Sequence, residues 1–419
     1  MVTGLGLLLV AEGAARLMMG SPGESIYAEV PSASSALTRV DGDELHLLYQ
    51  QAVTESEPIS RTPTANQPRV VWMGGSSMRG GNPGMPRERE AAEQVARLLD
   101  VESINMASPG LDTGHHLALL PDVLSLSPDA VVIYAGHNDL GNQVLLARFS
   151  SAGFLRVAWI QQVLTRSRLY TLLASTIRQR HVLRVPQPDE NAQARVDEAM
   201  RMQLTETYVA RLSAMVEALQ RAGIAVVVAT PASNPTTPSM IWRCPDAMAT
   251  LGLQGRPPEA FPVHGVSRSE LDALQQQEAC ADLAWIAARQ DNDMETLDWL
   301  RDTDPLPFRA HRALVEGTRE VARRHGAGLA DVNAVFRAIG GGIEHPSLFN
   351  DPMHLSERGH EVLAHEVAAT LPSLLGRPTI QRPEYSQLPT NLGACGDLPC
   401  RTRGPSRNGS RHGAPHAQL

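Results

Sequence analysis

The chain has 419 residues, of which 42% are hydrophobic and 20% charged, and its formal net charge is -8 at pH 7. This composition is typical of a globular protein with a substantial core. Its basic residues are scattered and only 4% of its residues are aromatic, which argues against a nucleic-acid partner, because such proteins need basic surfaces and stacking rings.

The first 20 residues contain a short apolar run, residues 2–11, which Glu12 and Arg16 interrupt. The run is shorter than the roughly 20 apolar residues that span a bilayer, and no basic segment precedes it. Two interpretations stay open: part of a signal anchor that begins further upstream, or an amphipathic helix packed on the domain. We favour an anchor that attaches the protein to the membrane. Residues 21–66, rich in Ser, Pro, Thr and Glu, predict a linker or extended arm.

The core of the fold is predicted to begin near Pro68 and to fill residues 67–375. Short apolar or β-branched runs alternate there with helical patterns, which indicates a parallel sheet covered on both faces. The predicted class is therefore α/β, a three-layer α/β/α flavodoxin-like fold with a five-stranded parallel sheet. The five predicted strands are residues 69–73, 101–106, 130–134, 224–229 and, more weakly, 328–332.

Residues 194–222 read as one long amphipathic helix before the fourth strand. The interval between the fourth and fifth strands is much longer than a usual connection, and helix-spaced apolar residues in 267–290 and 294–301 predict a helical insertion at about 236–308. Residues 376–419 are rich in Pro, Gly, Asn and Arg without periodicity, which predicts a disordered tail.

None of the four cysteines stands at a spacing typical of zinc sites. They permit three disulfide pairings, of which we favour Cys244 with Cys280 and Cys395 with Cys400 in an oxidising compartment. Four unpaired thiols remain the alternative.

The first strand runs directly into Gly74-Gly75-Ser76-Ser77. Glycines before a serine allow a sharp turn at the carboxyl edge of the sheet, which places the hydroxyl of Ser76 in the crevice where such sheets bind ligands. By itself the motif indicates a turn more often than a nucleophile.

Asp351-Pro352-Met353-His354 precedes an apolar-periodic helix that ends near Leu375. A carboxylate three residues before an imidazole can bond one ring nitrogen and leave the other facing a serine. An isolated Asp-x-x-His is more often a turn.

Two further loops follow the second and third strands, and they contain Gly110 and Asn138. Both would converge on Ser76 at the same edge of the sheet. The N–H of Ser76, the N–H of Gly110 and the side-chain amide of Asn138 would then form an oxyanion hole. Each loop taken singly has the alternative of a turn or a helix cap.

Together, the four loops over residues 68–375 resemble the SGNH (GDSL-like) hydrolase superfamily, whose Ser, Gly, Asn and Asp-x-x-His blocks occur in this order. The resemblance implies a serine ester hydrolase that forms an acyl-serine and needs neither metal nor cofactor. It implies the nucleophile Ser76, the base His354, the orienting carboxylate Asp351, and the oxyanion donors Ser76, Gly110 and Asn138.

The Ser block departs from the family pattern, because it reads Gly-Gly-Ser-Ser instead of Gly-Asp-Ser-Leu. His137 occupies the variable position of the Asn block and is a candidate for substrate binding, although packing explains it equally well. Asn234 is a second candidate. The pair His115 and His116 finds no third metal ligand nearby, and His360 is predicted on a helix surface.

The chain also resembles a bacterial subset of the superfamily with an N-terminal anchor and a tetratricopeptide-like helical segment, on the likeness of residues 230–234 and 304–309 to the flanks of that segment. This implies a cell-envelope protein, anchored with an extracytoplasmic catalytic domain or secreted, whose insertion offers a surface for a protein partner.

The expected substrate is a small-molecule or glycan ester. Two alternatives stay open: an O-acetyltransferase that acts on an envelope polysaccharide with the same triad, and a non-catalytic binding protein with a relic site.

Overall fold

The computed structural model describes residues 38–47, 58–79, 85–142, 198–238, 244–252, 266–277, 280–304 and 308–388. The N-terminal segment predicted as an anchor and the pair Cys395 and Cys400 lie outside these residues. No helix among the described residues is both long and apolar enough to traverse a bilayer.

A small antiparallel sheet precedes the core, with strands β1 (Thr38–Asp41), β2 (Glu44–Leu47) and β3 (Ile59–Ser60). Strands β1 and β2 pair across a two-residue turn in which Gly42 has a φ of 60°. Leu45 and Leu47 are buried in the core of the domain. The prediction of a linker or extended arm over 21–66 is therefore wrong for residues 38–47 and 58–60, which fold against the domain because these leucines bury apolar surface.

The predicted five-stranded parallel sheet is confirmed. Its hydrogen-bonded order is β5-β4-β6-β7-β8, which is the flavodoxin-like arrangement. All residues of β4 and β6 are buried, as expected for strands with a helical layer on each face. The strands are β4 (Arg69–Gly74), β5 (Glu102–Asn105), β6 (Ala130–Tyr134), β7 (Ala225–Ala229) and β8 (Gly328–Ala330).

Helices cover both faces of the sheet and form the insertion. Those that the described residues form are α1 (Ser76–Arg79), α2 (Ala91–Leu99), α3 (Thr113–Ser125), α4 (Glu198–Arg221), α5 (Pro245–Thr250), α6 (Arg268–Gln277), α7 (Ala281–Asp291), α8 (Met294–Asp302), α9 (Arg312–His325), α10 (Val332–Ile339) and α11 (Glu357–Leu374), with 3-10 turns at Arg87–Arg89 and Pro346–Leu348.

The three layers follow from the alternation of side chains along each strand. In β4, Val70 and Trp72 face a core shared with α2, α10 and α11. Val71 and Met73 face the opposite core, shared with α3, α4 and α9. Helix α4 coincides with the long helix predicted over residues 194–222.

Helices α5 to α8, which lie between β7 and α9 along the chain, surround a third, smaller core. The prediction of helices over 267–290 corresponds to two helices, α6 and α7, and the prediction over 294–301 corresponds to α8. The predicted Cys244–Cys280 disulfide is present and joins the starts of α5 and α7. A likeness of this unit to tetratricopeptide segments stays a prediction.

Buried ion pairs fix the insertion to the main core. Arg301 of α8 lies 3.1 Å from the carboxylate of Glu344, which is fully buried. Arg337 of α10 pairs with both Glu344 and Asp298 of α8. Burial raises the pKa of Glu344, although the two guanidinium groups oppose the shift. Breaking any one of these pairs would leave an uncompensated buried charge, which is costly. The network therefore favours the observed position of α8 against α10.

The prediction of a disordered tail from residue 376 is wrong for residues 377–388. The N–H of Leu388 donates to the carbonyl of Ile339 at 2.7 Å, and Tyr385 and Leu388 pack against the core between the sheet and α11. Their apolar surface stabilises this segment on the domain.

Candidate active site

Strand β4 places Ser76 at the carboxyl edge of the sheet. The chain turns at Gly74 and Gly75, and Ser76 begins α1. A Cβ atom on Gly75 would lie 2.6 Å from the side-chain nitrogen of Asn138, so only glycine permits this close approach. The glycines predicted to allow a turn therefore also bring the loop after β6 against the serine.

The structure brings Ser76, His354 and Asp351 into one hydrogen-bonded chain. The Nε2 atom of His354 lies 2.7 Å from the Oγ atom of Ser76, although 278 positions separate the two residues. The Nδ1 atom of the same ring lies 2.5 Å from Oδ2 of Asp351. With Nδ1 protonated toward the carboxylate, Nε2 is left to accept the serine proton.

Asp351 also shapes the loop that carries the histidine. Its Oδ1 accepts the backbone N–H groups of Met353 at 2.9 Å and His354 at 2.8 Å. Burial opposes ionisation of this carboxyl group, but the hydrogen bond and charge of His354 and the two backbone donors outweigh it and lower its pKa. Asp351 is therefore ionised at neutral pH and can stabilise an imidazolium.

Asn138 lies at the end of β6, next to the turn that carries the serine. Its Nδ2 atom donates one hydrogen to the carbonyl of Leu111 at 3.0 Å, which orients the carboxamide and leaves its second N–H available. Asn138 is 7% exposed, so a hydrogen bond made there is weakly screened.

The loop that contains Gly110 is held to the same turn. The N–H of Ser108 donates to the carbonyl of Gly74 at 3.2 Å, and Gly110 adopts a φ of 80°, which favours glycine. Within the described part of the chain, the N–H groups of Ser76 and Gly110 have no hydrogen-bond acceptor. Both groups can thus serve as donors to a ligand.

The structure gives His137 and Asn234 contacts within the protein. The Nε2 atom of His137 lies 2.8 Å from the carbonyl of Ala232, and its ring packs at 5.3 Å from that of Tyr134. Burial lowers the pKa of His137 to about 4, so the ring is neutral. The Oδ1 atom of Asn234 accepts two hydrogen bonds from Thr236. Substrate binding by either residue stays a prediction.

The prediction that His360 lies on a helix surface is wrong. The residue is fully buried, and its Nδ1 accepts the N–H of Ala91 at 3.3 Å. It lies on the same helical stripe as Leu363 and Val367, which pack in the core. Burial lowers the pKa of His360 to about 4, and the nearby His354 acts in the same direction.

The pair His115 and His116 is built into helix α3. The Nδ1 atom of His115 lies 2.9 Å from Oδ1 of Asp112, which caps the helix. His116 is buried, which lowers its pKa to about 4. Among the described residues, one group has its potential ligand atoms close enough together to hold a metal ion: Cys244, Cys280 and Asp282. Its two sulfur atoms are bonded to each other in a disulfide.

Sequence reasoning missed Ser77. Its Oγ atom donates to the carbonyl of Met353 at 2.9 Å, directly beside His354 in the chain. The available clue was the hydroxyl that replaces the leucine of the Gly-Asp-Ser-Leu pattern.

Comparison with known proteins identifies a family for the chain. The model of the GDSL-like lipase/acylhydrolase family matches residues 73–362, a range that contains Ser76 and the Asp-x-x-His loop. No curated protein matches the chain.

Among solved structures, the chain is similar to a GDSL-like lipase from Bacteroides thetaiotaomicron, with 12% identity, a TM-score of 0.34 and coverage of 73% of this chain and 88% of that one. It is also similar to a catalytic mutant of an acetylxylan esterase from Geobacillus stearothermophilus, with 14% identity, a TM-score of 0.34 and coverage of 77% and 99%.

Proposed function

The chain belongs to the GDSL-like lipase/acylhydrolase family, and from this premise we propose that it is a serine ester hydrolase. The observation that carries the proposal is the 2.7 Å contact between Nε2 of His354 and Oγ of Ser76, with Asp351 on the other ring nitrogen. A serine becomes a strong nucleophile when an oriented base removes its proton. A relic site has no need to keep that contact.

In the first half of the proposed reaction, the Oγ atom of Ser76 attacks the ester carbonyl carbon while Nε2 of His354 takes its proton. The carbonyl oxygen becomes an oxyanion, which accepts hydrogen bonds from the N–H groups of Ser76 and Gly110 and from Nδ2 of Asn138. Asp351 stabilises the imidazolium. The intermediate collapses to an acyl-serine, and the alcohol leaves with the proton from His354.

In the second half, water enters the site and His354 removes one of its protons. The resulting hydroxide attacks the acyl carbon, the same three donors hold the second oxyanion, and collapse releases the carboxylic acid as Ser76 recovers its proton. Each half uses the same groups, so loss of one donor slows both.

A panel of p-nitrophenyl esters from acetate to decanoate tests this proposal. We expect the wild-type protein to hydrolyse at least one member, and Ser76→Ala to reduce kcat by at least about 10³-fold, as loss of a catalytic serine does. Ser125→Ala is the matched control, because this hydroxyl bonds a carbonyl at the far end of α3. Equal activity of Ser76→Ala and wild-type protein would contradict the proposal.

We propose a small-molecule or glycan ester as the substrate, with water as the acyl acceptor. The acyl-serine can in principle pass its acyl group to a sugar hydroxyl instead. Incubation with an acetyl ester and a polysaccharide separates the two outcomes, because hydrolysis releases acetate and transfer yields acetylated polysaccharide. If acetylated polysaccharide were the main product, the proposed activity would be acyl transfer instead of hydrolysis.

We also propose that the catalytic domain works outside the cytoplasm. The Cys244–Cys280 disulfide supports this location, since such bonds persist in oxidising compartments, and the apolar residues 2–11 fit a membrane attachment. Alkylation of intact cells tests the location. We expect both cysteines to react only after reduction, and free thiols in untreated cells would contradict an extracytoplasmic domain.

A further inference from the structure

The histidine of the triad is carried by a short segment, residues 350–354, here called the base loop. Its internal hydrogen bonds fix its shape. Asp351 accepts two backbone N–H groups within the loop, and the N–H of Asn350 donates to the carbonyl of His354 at 2.8 Å. The contact between Asp351 and His354 is also internal. These bonds move with the loop, so they do not fix its distance from Ser76.

Apart from the contact of His354 with Ser76, and from a bond that Nδ2 of Asn350 donates to the carbonyl of the adjoining Leu355, two hydrogen bonds join the base loop to other segments of the described chain. The backbone N–H of Asn234 donates to the carbonyl of Pro352 at 2.9 Å. The hydroxyl of Ser77 donates to the next carbonyl, that of Met353, also at 2.9 Å. The first bond comes from the loop after β7, whereas the second comes from α1.

Beside the contact between His354 and Ser76 itself, the bond from Ser77 connects the base loop to the nucleophile's own helix. Ser77 follows Ser76 in the four-residue helix α1, so a change in the position of this helix moves both hydroxyl groups. The side chain of Ser77 is 1% exposed and Met353 is 8% exposed. Water therefore has little access to replace the bond.

We propose that Ser77 is a positioning residue, whose hydroxyl keeps the imidazole of His354 within bonding distance of Ser76. This inference rests on the proposed hydrolase function. A displacement of about 1 Å between reacting groups can lower a rate by about 100-fold. Loss of the hydroxyl therefore lowers kcat by about tenfold to a hundredfold and leaves KM near its wild-type value, because Ser77 acts through the base loop rather than on substrate.

Three variants test the role of the hydroxyl. Ser77→Ala removes it, Ser77→Cys replaces it with a weaker donor of similar size, and Ser77→Thr retains it. The measurement is kcat on p-nitrophenyl acetate, divided by the fraction of protein that a fluorophosphonate labels at Ser76 once the labelling has run to completion. We expect low values for Ala and Cys and recovery of most of the lost kcat by Thr.

Thr318→Val is the control for stability alone. Its hydroxyl is also 1% exposed and donates to a carbonyl within α9 at 2.9 Å, and it contacts the hydroxyl of Tyr208 in α4 at 2.7 Å, away from the base loop. We expect this variant to melt at a lower temperature with an unchanged kcat per labelled site.

Wild-type kcat per labelled site in Ser77→Ala would overturn the role of Ser77 and leave the hydrolase function in place. If the Ala variant does not fold, wild-type kcat in Ser77→Cys has the same meaning. A wild-type protein that neither hydrolyses esters nor reacts with the fluorophosphonate would overturn the function, and the role of Ser77 with it.

Discussion

His360 offers a quantitative test of the packing between α11, the helix that follows the base loop, and the start of α2. The residue is fully buried on α11, and burial lowers its pKa to about 4, whereas a histidine in an unfolded chain titrates near 6.5. Between these values the unfolded chain binds a proton that the folded protein does not. His360 therefore stabilises the folded state above about pH 6.5, and this contribution is lost as the pH falls toward 4. One pKa unit corresponds to about 1.4 kcal/mol, so the loss from pH 7 to pH 5 amounts to roughly 2 kcal/mol.

Urea unfolding at pH 7 and pH 5 measures this contribution to the free energy of unfolding, in the wild-type protein and in the variants His360→Gln and His360→Phe. Gln keeps an acceptor for the N–H of Ala91 and Phe does not, so the two variants should differ in stability at pH 7. Both should lose roughly 2 kcal/mol less than wild type on acidification. A pH dependence as steep as that of wild type in both variants would refute the reasoning.

Three further predictions concern other parts of the molecule. Asn138→Ala should lower kcat by about 10²–10³-fold with an unchanged circular dichroism spectrum, and a smaller loss would remove Asn138 from the oxyanion hole. The fully buried guanidinium of Arg69 donates to the carbonyl of Leu126 at 2.8 Å and pairs with the partly exposed Glu102 at 2.9 Å, so Arg69→Met, which leaves that buried carbonyl without its donor, should destabilise the protein by about 1–3 kcal/mol in urea titration; near wild-type stability would contradict this. Replacing Cys244 and Cys280 by Ala opens a loop with a sequence separation of 36, which should cost about 2–4 kcal/mol of unfolding free energy, and an unchanged urea midpoint would argue against the bond.

Much of the fold could be predicted because its parallel strands are buried on both faces. Residues 130–134 read as a continuous apolar run, and the strand occupies Ala130–Tyr134. The small N-terminal sheet escaped prediction, because β1 and β2 have four residues each and lie in a polar region. The turn residues Gly42-Asp43, a pair that two-residue hairpin turns favour, were a local signal for it.

The members of the candidate site could be predicted from their order along the chain, but their supports could not. Asp351 and His354 stand in a recognisable motif, since a carboxylate three residues before an imidazole can orient it. The bond from Ser77 to Met353 joins positions 276 residues apart, and no local pattern encodes it. His360 was misplaced because its polarity suggested exposure, whereas its spacing from Leu363 and Val367 puts it on the buried stripe of α11.

We propose above that His354 activates Ser76 by removing its hydroxyl proton, although 278 positions separate the two residues. The most direct test compares the rate at which a fluorophosphonate modifies the wild-type protein with the rate for His354→Gln. Mass spectrometry identifies the modified residue in each protein. We expect an adduct on Ser76 that forms at least about 10³-fold more slowly in the variant. Equal rates in the two proteins, or an adduct on Ser77 instead, would contradict it.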